Sequence, residues 1–149
     1  MSLYFITKRN DHLINDSKII IERSLDKLID YLTQKEQISL DKEFSSLNVF
    51  KAVPLLTQIG DKDTQFVIDD TSIDLSPIGN LLASKLILGH NIGIDYKIWK
   101  RQGYGLFRNV YDTMIAEQVI TRGLGYSVSL ENTIKRRLDI LPLAKEIRI

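Results

Sequence analysis

The sequence predicts an α/β domain built on a mixed β-sheet, and three observations support this. Three β-prone runs follow one another in the first half, at Gln37–Phe44, residues 53–60 and Thr64–Asp69. In the second half helix and strand signals alternate, the order that a sheet with parallel neighbours requires. The composition allows a real core, since 149 residues with 44% hydrophobic and 26% charged side chains suit one globular domain over residues 1–149.

The elements can be justified in order. An apolar run at residues 3–7 is expected as a first strand or a loose arm, followed by a polar turn to about residue 16. Over residues 20–33, Ile21, Leu25, Leu28, Ile29 and Leu32 recur at helical spacing with charged residues between them, which predicts one amphipathic helix. The two runs flanking Asp61-Lys62-Asp63 read as a hairpin with a short polar loop. With the strand before them they are expected to form an antiparallel edge of the sheet.

Residues 72–84 have the mix of a second helix, with Asp74 or Ser76 as caps and Pro77 tolerable in its first turn. Residues 85–89, KLILG, are a short buried-type strand ending in glycine. A helical pattern then runs through Trp99, a core residue by its setting, to about residue 103. Asn91 is the expected N-cap, and Asp95 lies four residues on, on the same face. Residues 109–111 make one more short strand, Asp112 caps the helix after it, and Ser129 caps a last helix to about residue 139.

Charge and composition narrow the function classes. A formal charge of +1 excludes a broad basic surface, although a channel for a few nucleotides would not need one. The absence of cysteine removes disulfides, thiolate zinc sites and a Cys nucleophile together. No apolar run reaches ~18 residues and no signal-peptide pattern opens the chain, so a soluble, intracellular (cytoplasmic) protein without membrane contact is expected.

The chemistry concentrates in ISLDKEFSSL, residues 38–47. On a strand the period of two places Ser39, Asp41 and Glu43 on one face, and Ile38, Leu40 and Lys42 on the other. Side chains at i and i+2 lie roughly 7 Å apart, so two ionised acids in a partly enclosed site call for a nearby cation. The plainer alternative is an amphipathic strand showing its polar face to water. In open α/β sheets ligands gather outside the carboxyl ends of parallel strands. If the strand at residues 85–89 is a parallel neighbour, Asp95 joins Asp41 and Glu43. Such hard oxygen donors suit Mg²⁺ or Mn²⁺, and a pair of such ions would support phosphodiester hydrolysis.

With these segments in place, residues 37 to about 140 resemble the DEDD 3′-to-5′ exonucleases, in particular the proofreading domain of DNA polymerase I and the RNase D type. Asp41-Lys42-Glu43 matches the family's first motif, D-x-E, and Leu47 falls where the family has a leucine that wedges against the 3′-terminal base. Gly89-His90-Asn91-Ile92-Gly93-Ile94-Asp95 matches the second motif, a strand followed by Asn and, four residues later, Asp. Asp112-Thr113-Met114-Ile115-Ala116 is similar to the family's D-T-x-x-A segment, and Ser129-Leu130-Glu131-Asn132 to its S-L-x-x segment.

The resemblance implies an RNase H-like mixed sheet flanked by helices. It implies Asp41, Glu43 and Asp95 as catalytic metal ligands for Mg²⁺ or Mn²⁺, two ions in a complete site. It further implies Phe44, Leu47, His90 and Asn91 as substrate-side residues. The implied partner is the 3′ end of a single nucleic-acid strand, with DNA favoured over RNA, in a proofreading role as part of a longer DNA polymerase chain.

The third family motif, Y-x-x-x-D or H-x-x-x-x-D, does not follow the last helix, so the domain is expected to lack its C-terminal motif. His90 and Asp95 themselves read as H-x-x-x-x-D. That assignment would need a second-motif acid from Asp61, Asp63, Asp69, Asp70 or Asp74, none of which follows an Asn between strand and helix. For His90 a backbone-bonded loop role is the plain alternative to a site role. Lys97, Lys100, Arg101, Arg108 and Lys135-Arg136-Arg137 are either phosphate contacts or solvated helix faces. The competing functional class is a non-catalytic nucleic-acid-binding or scaffold module with the same fold.

Overall fold

The computed structural model describes residues 1–11 and 14–140. Seven strands form one sheet: β1 (Ser2–Ile6), β2 (Ile19–Glu22), β3 (Gln37–Phe44), β4 (Pro54–Gly60), β5 (Thr64–Asp69), β6 (Leu86–Gly89) and β7 (Asn109–Asp112). Their spatial order is β2-β1-β5-β4-β3-β6-β7. Only β4 runs against its neighbours, pairing antiparallel with β3 and β5, while β3 is parallel to β6 and β6 to β7. The helices are α1 (Asp26–Thr33), α2 (Gly79–Ala83), α3 (Gly93–Arg101), α4 (Thr113–Ile120) and α5 (Leu130–Leu138). The α/β mixed-sheet expectation is met.

Alternation along β3 sets its two faces. Ile38, Leu40 and Lys42 are buried, whereas Asp41 and Glu43 stay exposed. The buried face joins Ile59, Phe66, Ile68 and Ile87 in a core closed by Leu28 and Leu32 of α1, Leu82 of α2 and Trp99 of α3, all nearly inaccessible. Trp99 packs edge-on against Tyr104 and tilted against Phe107, which confirms its core role.

Four local expectations change. Residues 20–33 are not one helix: Ile19–Glu22 pairs in parallel with β1, from Leu3 opposite Ile19 to Ile6 opposite Glu22, and α1 begins only at Asp26. The run Ile19-Ile20-Ile21 is stiff at χ1 and favours a pleated strand once a partner strand is available. The β4–β5 hairpin exists, with Leu56 opposite Asp69, but it lies inside the sheet because β1 adds in parallel to β5. Residues 72–84 form a short 3-10 turn, Ser76–Ile78, running into the brief α2. Asn91 does not cap α3; Ile92 occupies that position, and Asn91 takes a left-handed backbone with φ of 60°. The expected caps Asp112 and Ser129 are both in place, accepting from Met114 N and from Asn132 N respectively.

Candidate active site

The site forms where β3, still paired with β4, runs past the end of β6 beside the start of α3. Parallel pairing of β3 with β6 ends at Ser39 opposite Leu88, so Asp41 lies just past the paired region, at the carboxyl end where an α/β sheet opens. From the first turn of α3, Asp95 returns to β3: its Oδ1 accepts a hydrogen bond from the Lys42 amide at 3.0 Å, and it is only 6% exposed. This backbone bond locks the helix to the strand and brings the carboxyls of Asp41 and Asp95 into electrostatic contact.

Their protonation reflects that proximity. Burial first, and then the charge of Asp41, push the Asp95 carboxyl up to about 7, against the Lys42 amide and ammonium, which pull it down. Asp41, still open to water on one side, is also raised, chiefly by the protein packed around its carboxyl, against the Lys42 amide. Two carboxylates brought close in partial burial hold protons more tightly than free acids do.

Behind them stands a buried ion pair. Lys42 turns its side chain away from Asp41, and Nζ donates to Thr57 Oγ1 and, at 2.8 Å, to Asp70 Oδ2, with both charged side chains inaccessible. Burial lowers the Lys42 pKa and Asp70 opposes that shift. A buried ion pair is costly unless well bonded, and here Thr57 Oγ1 also donates to Asp70. The pair ties β3 to β4 and to the end of β5 directly under the acids.

The turn from β6 into α3 is held by Asp112 and Thr113. Asp112 Oδ1 accepts from Asn91 N at 2.9 Å and Met114 N at 2.9 Å, and its Oδ2 accepts from Ile92 N at 3.1 Å. One carboxylate therefore caps α4 and fixes the turn ahead of α3, whose N-cap Ile92 has no side-chain cap of its own. His90 places Nδ1 2.9 Å from Thr113 Oγ1 and donates from Nε2 to the carbonyl of Val128 at 3.0 Å. The loop role is the one this geometry displays. A Cβ on Gly89 would lie 2.7 Å from Ile92 Cδ1, so the tight turn into α3 favours glycine there.

Asp41, His90 and Asn91 line a cavity of about 600 Å³ together with Ser39, Gln58 and Gln65. A larger hollow, about 940 Å³, lies at the other end of β3 and contains Lys35, Asp61, Lys62 and Asp63 but not Asp41, and Asp95 lines neither of the two. Leu47 stands 78% exposed on the loop after β3, and Phe44 ends the strand opposite Pro54, past a bulge that follows Glu43. Glu43 lies on the same strand side as Asp41 by alternation. Among the described residues, no group of three Asp, Glu, His or Cys side chains converges tightly enough to hold one ion. Asp41 and Asp95 are thus brought together, and Glu43 is not gathered with them.

The donor chemistry, carboxylate oxygens at a half-open mouth, fits a hard divalent ion whose remaining positions are filled by water. The acids needed for a histidine-type second motif are engaged elsewhere. Asp61 pairs with Lys35, Asp63 with Lys62, Asp70 with Lys42, Asp69 accepts from Thr7, Thr71 and Ser72, and Asp74 accepts from Ser76. The basic residues are also largely occupied. Arg136 and Arg137 both pair with the buried Glu117, Lys135 with Glu131, and Lys100 sits over the Tyr96 ring. Sequence reasoning missed the Lys42–Asp70 pair and the wider grip of Asp112. The only available sign of the first was a lysine at an inward position of an apolar alternation.

The mixed sheet has the RNase H-like order of a DEDD-type nuclease fold, with Asp41 on β3 and Asp95 in the first turn of α3 beside it. Residues 18–149 match the family described as 3′-5′ exonuclease, and the chain belongs to that family. It is 32% identical over 120 residues to DNA polymerase I of Aquifex aeolicus, covering 72% of this chain and 20% of that protein. It is 31% identical over 107 residues to DNA polymerase I of Borreliella burgdorferi, covering 64% of this chain and 12% of that one. The chain thus spans a small part of these relatives.

Among solved structures, Escherichia coli RNase D, an exoribonuclease involved in structured RNA processing, superposes with a TM-score of 0.74 at 20% identity, over 100% of this chain and 36% of that one. Brucella melitensis NrnC with bound Mg²⁺ gives 0.67 at 18% identity, over 94% and 63%. Both establish the fold. No helix among the described residues is long and apolar enough to cross a membrane.

Proposed function

We propose that this chain is a single metal-dependent exonuclease domain that hydrolyses the terminal phosphodiester at the 3′ end of a nucleic-acid strand, DNA in preference to RNA, as the proofreading part of a longer DNA polymerase. The observation that supports this best is the Asp41–Asp95 pair at the mouth between β3 and α3, backed by Asn91 and His90 in one cavity. In this reading Asp41 and Asp95 would supply the first oxygen donors to Mg²⁺ or Mn²⁺, and Glu43, on the same side of β3, would join them once an ion offsets the charge of the acids. Bound there, the metal supplies Lewis-acid polarisation of the phosphoryl oxygens and lowers the pKa of attacking water.

The chain's own residues do the rest. The Lys42 amide fixes the orientation of the Asp95 carboxylate, and the buried Lys42–Asp70 pair keeps β3 in register so that Asp41 and Glu43 face the strand end. Asp112 holds the Asn91 turn, which presents the exposed Asn91 side chain to the substrate. Leu47 and Phe44 flank the terminal base, and the relation to two DNA polymerases I favours DNA.

A strand-binding module without hydrolysis is the second reading, favoured by the lack of a three-acid group among the described residues. Single-turnover digestion of a labelled oligonucleotide with Mg²⁺ separates the two. Hydrolysis from the 3′ end that Asp41→Ala abolishes supports the exonuclease, whereas binding with no metal-dependent cleavage leaves the module. Running DNA and RNA strands in parallel tests the substrate preference.

A further inference from the structure

The loop between β3 and β4 carries a feature that the acidic site does not explain. Phe50 is 91% exposed, more than any other large apolar side chain among the described residues, and Leu47, three positions earlier, is 78% exposed. Looseness is not the reason. Ser45 N donates to Val53 O at 3.0 Å and Val53 N returns to Ser45 Oγ at 3.0 Å, closing the neck of the loop. Inside it, Lys51 N and Ala52 N both reach the Asn48 carbonyl, and Phe50 N reaches Asn48 Oδ1 at 3.0 Å.

Arg101, the last residue of α3, donates from its guanidinium to the carbonyls of Val49 and Ala52, on either side of Phe50. The backbone is thus organised to hold an aromatic ring out in water. It is also tied to the helix that carries Asp95.

We infer that Phe50 is a base-stacking residue for the unpaired strand, a few nucleotides from the reacting phosphodiester; this rests on the nucleic-acid reading above. Six steps along α3 lead from Asp95 to Arg101, about 9 Å at 1.5 Å per residue, and the extended Arg101 side chain adds the reach to the loop. Stacked nucleotides rise about 3.4 Å each along one strand, so the loop tip falls within a few bases of the acids. A ring face binds any base without sequence preference. Lys51, exposed beside the ring, places an ammonium where the strand's phosphates would pass. A protein partner fits less well, because two side chains on a loop tip are far short of the roughly 800 Å² per partner of a stable interface.

The test uses the full chain and fluorescence anisotropy with a 3′-labelled oligo-dT, Ca²⁺ replacing Mg²⁺. Phe50→Ala is expected to weaken binding about tenfold, equal to about 1.4 kcal/mol and within the range for one stacked base, with an unchanged melting temperature. Phe50→Trp is expected to retain wild-type affinity. A series of strands with a single abasic site stepped back from the 3′ end adds the readout that a structural role would not move. Wild type should lose affinity at one position among the last few, and Phe50→Ala should be indifferent to it. Equal affinity of Phe50→Ala and wild type for intact strands overturns the inference, as does a loss that is the same for every abasic strand. A wild-type chain that is dimeric by light scattering, with Phe50→Ala monomeric and unaltered in strand binding, assigns the ring to protein contact instead. No binding by wild type overturns the nucleic-acid reading beneath it.

Discussion

Replacing Asp95 with Asn should stabilise the metal-free protein at neutral and alkaline pH, and the size of the gain follows from the site. The Asn amide oxygen can still accept from the Lys42 N–H, so the strand-to-helix bond survives while the charge is removed. In the folded protein the Asp95 carboxyl titrates at about 7, against an ordinary value of 3.8, because burial and then Asp41 oppose its ionised form. The folded state therefore binds this proton more tightly than the unfolded state. The associated stability is fully present below pH ~4 and is lost as pH rises through ~7.

At about 1.4 kcal/mol per unit, the roughly three-unit shift sets an upper limit of about 4 kcal/mol, which relaxation and water entry around the half-open site reduce to about 2. Urea unfolding in EDTA at half-unit steps from pH 4 to 8 measures it. The difference between Asp95→Asn and wild type should be near zero at pH 4, grow up to pH 7 and then level off, with the m-value unchanged. A difference that does not depend on pH would refute the electrostatic account of the pair and return Asp95 to an ordinary helix-start residue.

Other outcomes follow from the same geometry. Mn²⁺ should raise the melting temperature of wild type, and Asp41→Ala should abolish that rise while leaving the fold intact, as read by thermal scans with and without metal. Lys42→Met should destabilise the chain by about 3–5 kcal/mol, because Asp70 is left buried and unpaired, and Lys42→Met with Asp70→Leu should recover much of the loss in denaturant melts. Asp112→Ala removes the acceptor of the Asn91, Ile92 and Met114 amides and should cost about 1–3 kcal/mol in urea melts. Hydrogen exchange should show the loss spreading from α4 into the Asn91 turn.

Much of this protein was legible in its residues because local rules agreed with the fold. Alternation along residues 38–43 separates the buried face from the acidic one, since a strand has no other way to dispose of Ile38, Leu40 and their neighbours. Asp112 and Ser129 cap helices because their short side chains reach the amides that a helix start leaves unpaired. The tertiary structure decided what depends on partners distant in sequence. Ile19-Ile20-Ile21 became a strand because β1 offered a parallel edge, and a spacing rule applied to residues 20–33 cannot know that. Asn91 does not cap α3, because a carboxylate two elements later holds its amide and that of Ile92 in the turn ahead of the helix. That Lys42 is buried against Asp70, and that Asp95 comes within reach of Asp41's charge, follow from how the β4–β5 hairpin pairs beside β3 and α3 packs back on it. A charged side chain is tolerated inside only where folding delivers its counter-charge, and no local pattern specifies that delivery.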